Sequence, residues 1–293
     1  MNIPQNFEFN EPVKVNPLSQ HFRRAKIYVD LPYGKYNEGV VIQTFQLPVF
    51  PMTQIDEITA KTPDALMNGS ATVQIIKSCI PSIINPWKLS SIDLDACLLA
   101  IKVASNGGNM ETYQKCPKCG ELNSFDINLS QILQQITAAP FLTKKLTLES
   151  ENLEIEFQPL DYQSVELAEK QQFDMTVRMK KIQENPDQFD QDTQLQQMRD
   201  LTKLTHSILL EFVARSIKSI KNTSSNTLLD ISLENVVEWL QNIDKNMFTS
   251  IQNFVYGLKQ ETEMKPLEFT CSSEQCKHTW TSPLMLNYSD FFA

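Results

Sequence analysis

The chain has 293 residues, of which 41% are hydrophobic and 21% are charged, and this composition is typical of a globular protein with one large or two modest domains. Its net charge of −9 disfavours generic nucleic-acid binding, which depends on a surplus of Lys and Arg. No apolar run approaches the roughly 20 residues of a membrane span, and the first residues lack the pattern of a signal peptide. We therefore expect synthesis in the cytoplasm, where paired cysteines more often bind metal than form disulfides.

The first part of the chain predicts an arm followed by a strand pair. Residues 1–25 are polar, contain prolines and show no periodicity, which predicts an extended arm that is either frayed or ordered against a neighbouring subunit. Residues 26–30 and 40–47 are rich in β-branched and apolar side chains. Pro and Gly residues lie between them, so the pattern predicts a strand–loop–strand unit.

A cluster of short helices is predicted next. Thr53 is a suitable N-cap for the first helix, and the second is predicted between Thr62 and Gly69. The third is predicted over residues 70–79, and the fourth begins at Ser91 and ends at the two glycines 107–108. Cys79 and Cys97 fall inside these helices among apolar residues, which indicates small buried thiols in the core.

The remaining elements alternate between short strands and helices. Strands are predicted near 111–115 and 122–128, at 153–157, where apolar and charged residues alternate strictly, and as a hairpin over 216–221 and 227–231. Helices are predicted over 129–136, from Tyr162 to about 184, over 195–214, and after the N-cap residues Ser232 and Asp244. The two long helices, joined by a polar loop at 185–194, predict an αα-hairpin.

Two cysteine pairs are the main candidate site. Cys116 and Cys119 lie on a turn that Pro117 favours, and Gly120 suits the left-handed backbone that follows a metal-binding knuckle. The second pair lies far along the chain, at residues 271 and 276. Because two such turns supply four thiolates, they predict a tetrahedral Zn²⁺ site with no open position, which is structural and not catalytic.

The second pair is irregular and leaves alternatives open. Four residues separate Cys271 from Cys276, and Lys277 stands where a glycine is expected. The two residues could therefore be ordinary thiols on a surface loop, and His278 could replace one of them as a ligand, although a role beside Trp280 is favoured. Thioredoxin-like redox chemistry is disfavoured, since it needs the pair at a helix N-terminus after a buried strand.

The sequence offers little that is typical of an enzyme. The three histidines, His21, His206 and His278, lie in unrelated contexts, and no phosphate loop, dinucleotide fingerprint or nucleophile motif is present. The acidic runs are typical of solvated faces and loops. We therefore expect a protein without catalytic residues or an organic cofactor.

These elements predict an α+β fold that is mainly helical, with small antiparallel sheets and a zinc-ribbon-like element formed by two distant cysteine knuckles. The expected organisation has four parts. They are an extended arm (1–25), a strand pair with a helix cluster (26–110), the zinc-ribbon-like element (111–140 and 262–293) and a helical insertion with a short strand and a hairpin (141–261).

Several segments resemble a known family when they are taken in order. They are Leu31 to Gly34, Met52 to Glu57, Thr62 to Gly69, Ile92 to Asp95, the pair Cys116 and Cys119, and finally Cys271, Cys276, His278 and the terminal pair Phe291 and Phe292. Together they resemble the T4-type bacteriophage baseplate protein family, including baseplate hub assembly proteins. The chain differs from the family pattern in the wider second knuckle and in having Tyr33 before a single Gly34.

The resemblance implies a non-enzymatic structural or assembly component of a contractile tail baseplate or hub. The implied partners are other phage tail and baseplate proteins, with a homo-oligomer as a further alternative. The implied location is the virion tail baseplate, or the host cytoplasm during assembly. A zinc-ribbon regulatory or nucleic-acid-binding adaptor is the second hypothesis, which the 35 acidic against 26 basic residues disfavour.

Overall fold

The computed structural model describes residues 16–34, 46–62, 69–184 and 191–283, and the side chains of this part outside 181–194. It has the predicted α+β fold, in which helices predominate and the sheets are small and antiparallel. Three predictions lie wholly or largely outside the described residues. They are the arm at 1–25, of which residues 1–15 are not described, most of the strand at 40–47, and the helix between Thr62 and Gly69. The terminal pair Phe291 and Phe292 also lies outside the described residues.

The first half of the fold surrounds one long helix. Strand β1 (Ile27–Val29) pairs antiparallel with β2 (Leu47–Val49), and they are followed by α1 (Gln54–Ala60), α2 (Ser70–Cys79) and α3 (Ser91–Asn106). The N-cap Thr53 forms a capping box with Asp56, and the Ser90 hydroxyl accepts a hydrogen bond from the Asp93 N–H. These caps satisfy N–H groups that the first helical turn leaves without partners, as the sequence predicted for α1.

Helix α3 lies at the centre of the first hydrophobic core. Its residues are buried on several faces, including Leu98, Leu99 and Ile101. A helix that is apolar nearly all round requires packing partners on all sides. Strand β1, strand β2, helix α2 and the aromatic residue Phe269 supply them. The predicted core thiols Cys79 and Cys97 are both buried here.

The second half contains a four-stranded sheet and the long helices. The strands are β5 (Lys145–Leu148), β6 (Leu153–Phe157), β7 (Ile217–Asn222) and β8 (Thr227–Leu228), paired antiparallel in this order. The helices are α4 (Leu129–Gln135), α5 (Ala139–Thr143), α6 (Tyr162–Glu184), α7 (Gln191–Ser216), α8 (Leu233–Asn242) and α9 (Lys245–Thr262). Ser232 and Asp244 cap α8 and α9 as predicted.

A second hydrophobic core joins this sheet to α7, α8 and α9. Ile155 and Phe157 on β6 are buried, and the Phe157 ring lies 5.2 Å from the Phe254 ring of α9. Val213 on α7 and Ile251 on α9 complete the contact. The strict alternation in β6 therefore has the expected result, since one face of the strand packs against helices.

Helices α6 and α7 form the predicted αα-hairpin. Their ends near the sheet are buried at Tyr162 and Leu210. Farther from the sheet, large apolar side chains are exposed, with Phe173 58% and Met198 60% accessible. Among the described residues, no helix of the chain is both long and apolar enough to cross a membrane.

Candidate metal centre

The first cysteine knuckle closes a regular β-hairpin. Strands β3 (Asn109–Lys115) and β4 (Leu122–Asn128) pair along their whole length, from Asn109 opposite Asn128 to Lys115 opposite Leu122. Cys116 follows β3 directly, and its N–H donates to the Glu121 carbonyl at 2.8 Å. The N–H of Gly120 donates to the Cys116 carbonyl at 2.9 Å, and Gly120 has the predicted left-handed backbone, with φ = 75°.

The second knuckle closes a shorter hairpin in a similar way. Strand β9 (Leu267–Thr270) pairs with β10 (Thr279–Ser282), and Cys271 follows β9 directly. The Cys271 N–H donates to the His278 carbonyl at 2.9 Å. The N–H of Lys277 donates to the Ser273 carbonyl at 3.0 Å, and Lys277 has φ = 40°. A left-handed residue thus follows the last cysteine of each knuckle, although in this knuckle it is not a glycine.

An aromatic cluster holds the two hairpins together beneath the knuckles. The Phe125 ring of β4 lies 4.7 Å from the Phe269 ring of β9 and 5.9 Å from the Trp280 ring of β10, measured between centroids. Phe269 is buried and belongs to the core around α3. Such packed rings contribute both buried area and a preferred geometry. Hydrophobic packing therefore contributes to holding the two hairpins together, in addition to any contact through the cysteines.

The four sulfur atoms meet where the two knuckles face each other. The Cys116 and Cys276 Sγ atoms are 3.8 Å apart, those of Cys119 and Cys271 are 3.6 Å apart, and all four lie within 4.8 Å of one another. These distances exceed the roughly 2.05 Å of a disulfide bond. A tetrahedral ion with Zn–S bonds of about 2.3 Å places its ligands about 3.8 Å apart. The four cysteines can therefore bind a metal ion with little movement.

The electrostatics of the cluster favour a cation. Burial opposes ionisation of Cys116, but hydrogen bonds from the N–H groups of Cys119 and Lys118 lower the pKa of its thiol to about 7. At Cys271 the Ser273 N–H favours the thiolate, but burial and the neighbouring sulfur atoms raise the pKa to about 11. One thiolate thus forms readily and makes the next harder to form. A divalent cation removes this repulsion and allows four thiolates together.

The other sequence candidates lie in different places. His278 contributes its carbonyl to the second knuckle, and its ring stacks on Trp280 with the planes 14° apart. His206 is exposed and its ring lies 6.4 Å from Phe248. Within the described part of the chain, the cysteines form the one group of three or more potential metal-ligating side chains.

Sequence reasoning missed one residue of this centre. Asn123 on β4 is buried, and its Oδ1 accepts hydrogen bonds from both the N–H and the hydroxyl of Ser272, each at 2.7 Å. Its Nδ2 donates to the Glu121 carbonyl at 2.9 Å. The alternation along β4 could have identified it, because Asn123 shares the inward face of the strand with Phe125 and Ile127. A polar side chain on that face needs hydrogen-bond partners.

Comparison with known proteins identifies a family that the chain matches. A family model described as T4 bacteriophage base plate protein matches residues 43–293, which include both cysteine pairs and most residues of both hydrophobic cores. No curated protein and no solved structure matches the chain.

Proposed function

Because the chain belongs to the T4 bacteriophage base plate protein family, we propose that it is a non-enzymatic component of a contractile phage tail baseplate or hub. It serves there as a structural part or as an assembly factor, and it acts through protein–protein contacts. Its partners are other phage tail and baseplate proteins, with a second copy of the chain as a further partner. Its location is the virion baseplate, or the host cytoplasm during assembly. The match over residues 43–293 carries this proposal.

We further propose that Cys116, Cys119, Cys271 and Cys276 hold one structural Zn²⁺. The sulfur distances of 3.6 and 3.8 Å support this assignment, because they are close to the edges of a zinc–thiolate tetrahedron. Four thiolates saturate the ion and leave no position for water or substrate. The ion would therefore clasp the β9–β10 hairpin to the β3–β4 hairpin and would take no part in a reaction.

The same reasoning supports the four-part organisation of the chain as a proposal. The first hydrophobic core draws mainly on the part from 26 to 110, and the second draws mainly on the part from 141 to 261. The first piece of the zinc-ribbon-like element (111–140) lies between these two parts along the chain, and its second piece (262–293) follows the helical insertion. The clasp would then fix both ends of the helical insertion, whose α6–α7 hairpin exposes Phe173 and Met198 to partners.

The function is tested by following the protein through phage assembly. A tagged chain should co-purify with baseplate or hub proteins from infected cells, and it should be found in purified virions, in assembly intermediates or in both. Presence in intermediates alone would identify an assembly factor. Absence from both would contradict the proposal. Retention on DNA or RNA at physiological ionic strength, lost on nuclease treatment, would instead favour the regulatory or nucleic-acid adaptor.

A further inference from the structure

We infer that Asn123 is a positioning residue of the metal centre, which holds the longer second knuckle so that Cys271 reaches the sulfur cluster. The inference rests on the zinc site proposed above and concerns a residue outside the ligand set. It explains how two knuckles of different length can present four sulfur atoms within 4.8 Å of one another.

The two knuckles correspond residue by residue except for an insertion. Cys116 and Cys271 both follow a strand, and the N–H of each donates to a carbonyl beyond the turn, at Glu121 and His278. Gly120 and Lys277 both have left-handed backbones. The N–H of each donates to the carbonyl four residues earlier. For Gly120 that carbonyl belongs to a cysteine, whereas for Lys277 it belongs to Ser273.

This correspondence identifies the inserted residues as Ser272 and Ser273. The second knuckle repeats the tight turn of the first, with Cys276 in the place of Cys119, but the turn begins at Ser273. Cys271 is left two residues upstream of the start of the turn, directly after β9. Its sulfur therefore depends on the path of Ser272, the inserted residue that the turn does not fix.

Asn123 binds Ser272, the first inserted residue, from the opposite hairpin. Its Oδ1 accepts from the Ser272 N–H and hydroxyl at 2.7 Å, across 149 residues of sequence, and its Nδ2 donates to the Glu121 carbonyl of the first knuckle. The side chain is 2% exposed, so water is a poor substitute for these contacts. One amide thus connects both knuckles and fixes the backbone next to Cys271.

Loss of this contact should weaken binding of the metal. Metal–ligand distances tolerate deviations of about 0.2 Å, and the removal of groups that orient ligands typically weakens metal binding about 10- to 100-fold. Without Asn123, the Ser272 N–H loses its buried acceptor, and the inserted pair can relax by moving Cys271.

The test compares Asn123→Ala with Asn128→Ala in the full chain. Asn128 lies on the same strand, but its side chain caps α4 by accepting from the Gln131 N–H, far along β4 from the knuckle. Zn²⁺ affinity is measured by competition with a chromophoric chelator, and Co²⁺ absorption reports the thiolate ligands. We expect Asn123→Ala to weaken Zn²⁺ binding about 10- to 100-fold and to alter the Co²⁺ spectrum. We expect Asn128→Ala to change neither.

A shortened knuckle separates positioning from general stability. Deleting Ser272 and Ser273 gives the second knuckle the spacing of the first, so Asn123→Ala in this background should change Zn²⁺ affinity less than about threefold. Equal losses in both backgrounds, or no loss in the full-length knuckle, would overturn the inference and leave the zinc site standing. A wild-type chain that binds neither Zn²⁺ nor Co²⁺ would overturn the zinc site first, before any variant is compared.

A further readout does not need the shortened chain or the metal. In the metal-free protein, Asn123→Ala should speed hydrogen exchange of the Ser272 amide at least about tenfold, because its buried acceptor is lost. The Gly120 amide, which donates within the first knuckle, serves as the internal reference. Unchanged exchange at Ser272 would contradict the inference even if the shortened chain does not fold.

Discussion

The carboxylate of Asp93 accepts a hydrogen bond from the backbone N–H of Tyr33, with an N···O distance of 2.8 Å. This contact joins the first turn of α3 to the loop after β1. Asp93 is fully buried, and burial raises the pKa of its carboxyl to about 6, although hydrogen bonds from Tyr33, Ser90 and Gly34 favour the charged form. Tyr33 and Asp93 belong to two of the segments that resemble the T4-type baseplate family. The carboxyl group that connects these segments is therefore also a site that binds a proton.

Asp93→Asn should change how stability depends on pH. The folded carboxyl has a higher pKa than the unfolded one, so the folded state binds more protons between about pH 4 and pH 6. Stability therefore falls as pH rises through this window, by on the order of 3 kcal/mol for a shift of this size. Asn retains an acceptor for the Tyr33 N–H but does not titrate. The variant should be the more stable protein above pH 7.

Urea unfolding at a series of pH values measures this difference. Subtracting the stability of the Asp93→Asn variant from that of the wild type isolates the one group, because any loss of metal at low pH affects both proteins. Asp95→Asn is the matched comparison, because burial and Glu263 raise the pKa of the Asp95 carboxyl to about 7. The pH range over which this group lowers stability should therefore extend to a higher pH than that of Asp93. Parallel pH profiles of the wild type and Asp93→Asn would contradict the prediction.

The sequence predicted the elements whose signals are local. Strand β6 has the predicted bounds, and the N-caps Thr53, Ser232 and Asp244 lie where hydroxyl or carboxylate side chains precede an apolar periodicity. The fold class is confirmed as well. In each case a short stretch of chain contains the cause, either a period of two, a period of 3.6 or a capping side chain.

The elements that were missed depend on distant partners. Strand β5 has four residues and helix α5 has five, which are too short for periodicity to identify. Strand β2 is centred on Pro48 opposite Tyr28, and a proline usually argues against a strand, except at a sheet edge. The pairing of Ile155 with Ile220 spans both long helices. The contact of Asn123 with Ser272 joins residues that are 149 positions apart in the sequence, so no local pattern predicts it.

Arg23→Ala should release the segment before β1. The Arg23 guanidinium donates to the Pro51 carbonyl, to Asp56 Oδ2 at 3.1 Å, and to both the carbonyl and the hydroxyl of Ser78 at 2.7 Å. Removing it leaves the buried Asp56 without its cation. We expect a loss of about 1.5–3 kcal/mol in the free energy of unfolding and faster proteolysis between residues 16 and 25.

The neighbouring Arg24 provides the control for this prediction. Its side chain is exposed, so Arg24→Ala removes the same charge and a similar side chain without opening the contact. Surface substitutions of this kind usually change stability by less than about 0.5 kcal/mol. Equal proteolysis of the two variants would show that net charge, and not the Arg23 contacts, holds the segment.

The cysteine variants test the metal and its structural role together. Elemental analysis of protein prepared without chelator should find about one zinc per chain. Cys116→Ser or Cys271→Ser should abolish stoichiometric zinc and destabilise the fold, because metal binding contributes to folding free energy. Cys97→Ala is the control. This buried thiol lies in α3, so its loss should cost about 1 kcal/mol for the small cavity while the zinc content stays the same. Protein without zinc would contradict the assignment.

Lys277→Gly should stabilise the second knuckle. Lys277 has φ = 40° and an exposed side chain, so the residue is strained by its Cβ and contributes little packing. The left-handed backbone costs a non-glycine residue about 1–2 kcal/mol. Part of the stability gained by the substitution is lost again, because glycine increases the conformational entropy of the unfolded chain. A net stabilisation of about 0.5–1 kcal/mol is expected in thermal unfolding of the zinc-loaded protein.

Gly120→Ala is the reciprocal variant, since its φ of 75° suits glycine, and it should destabilise by about 1 kcal/mol. If Lys277→Gly instead lowers stability, the two knuckles do not share the same turn, and the correspondence that assigns Ser272 and Ser273 as the insertion would fail with it.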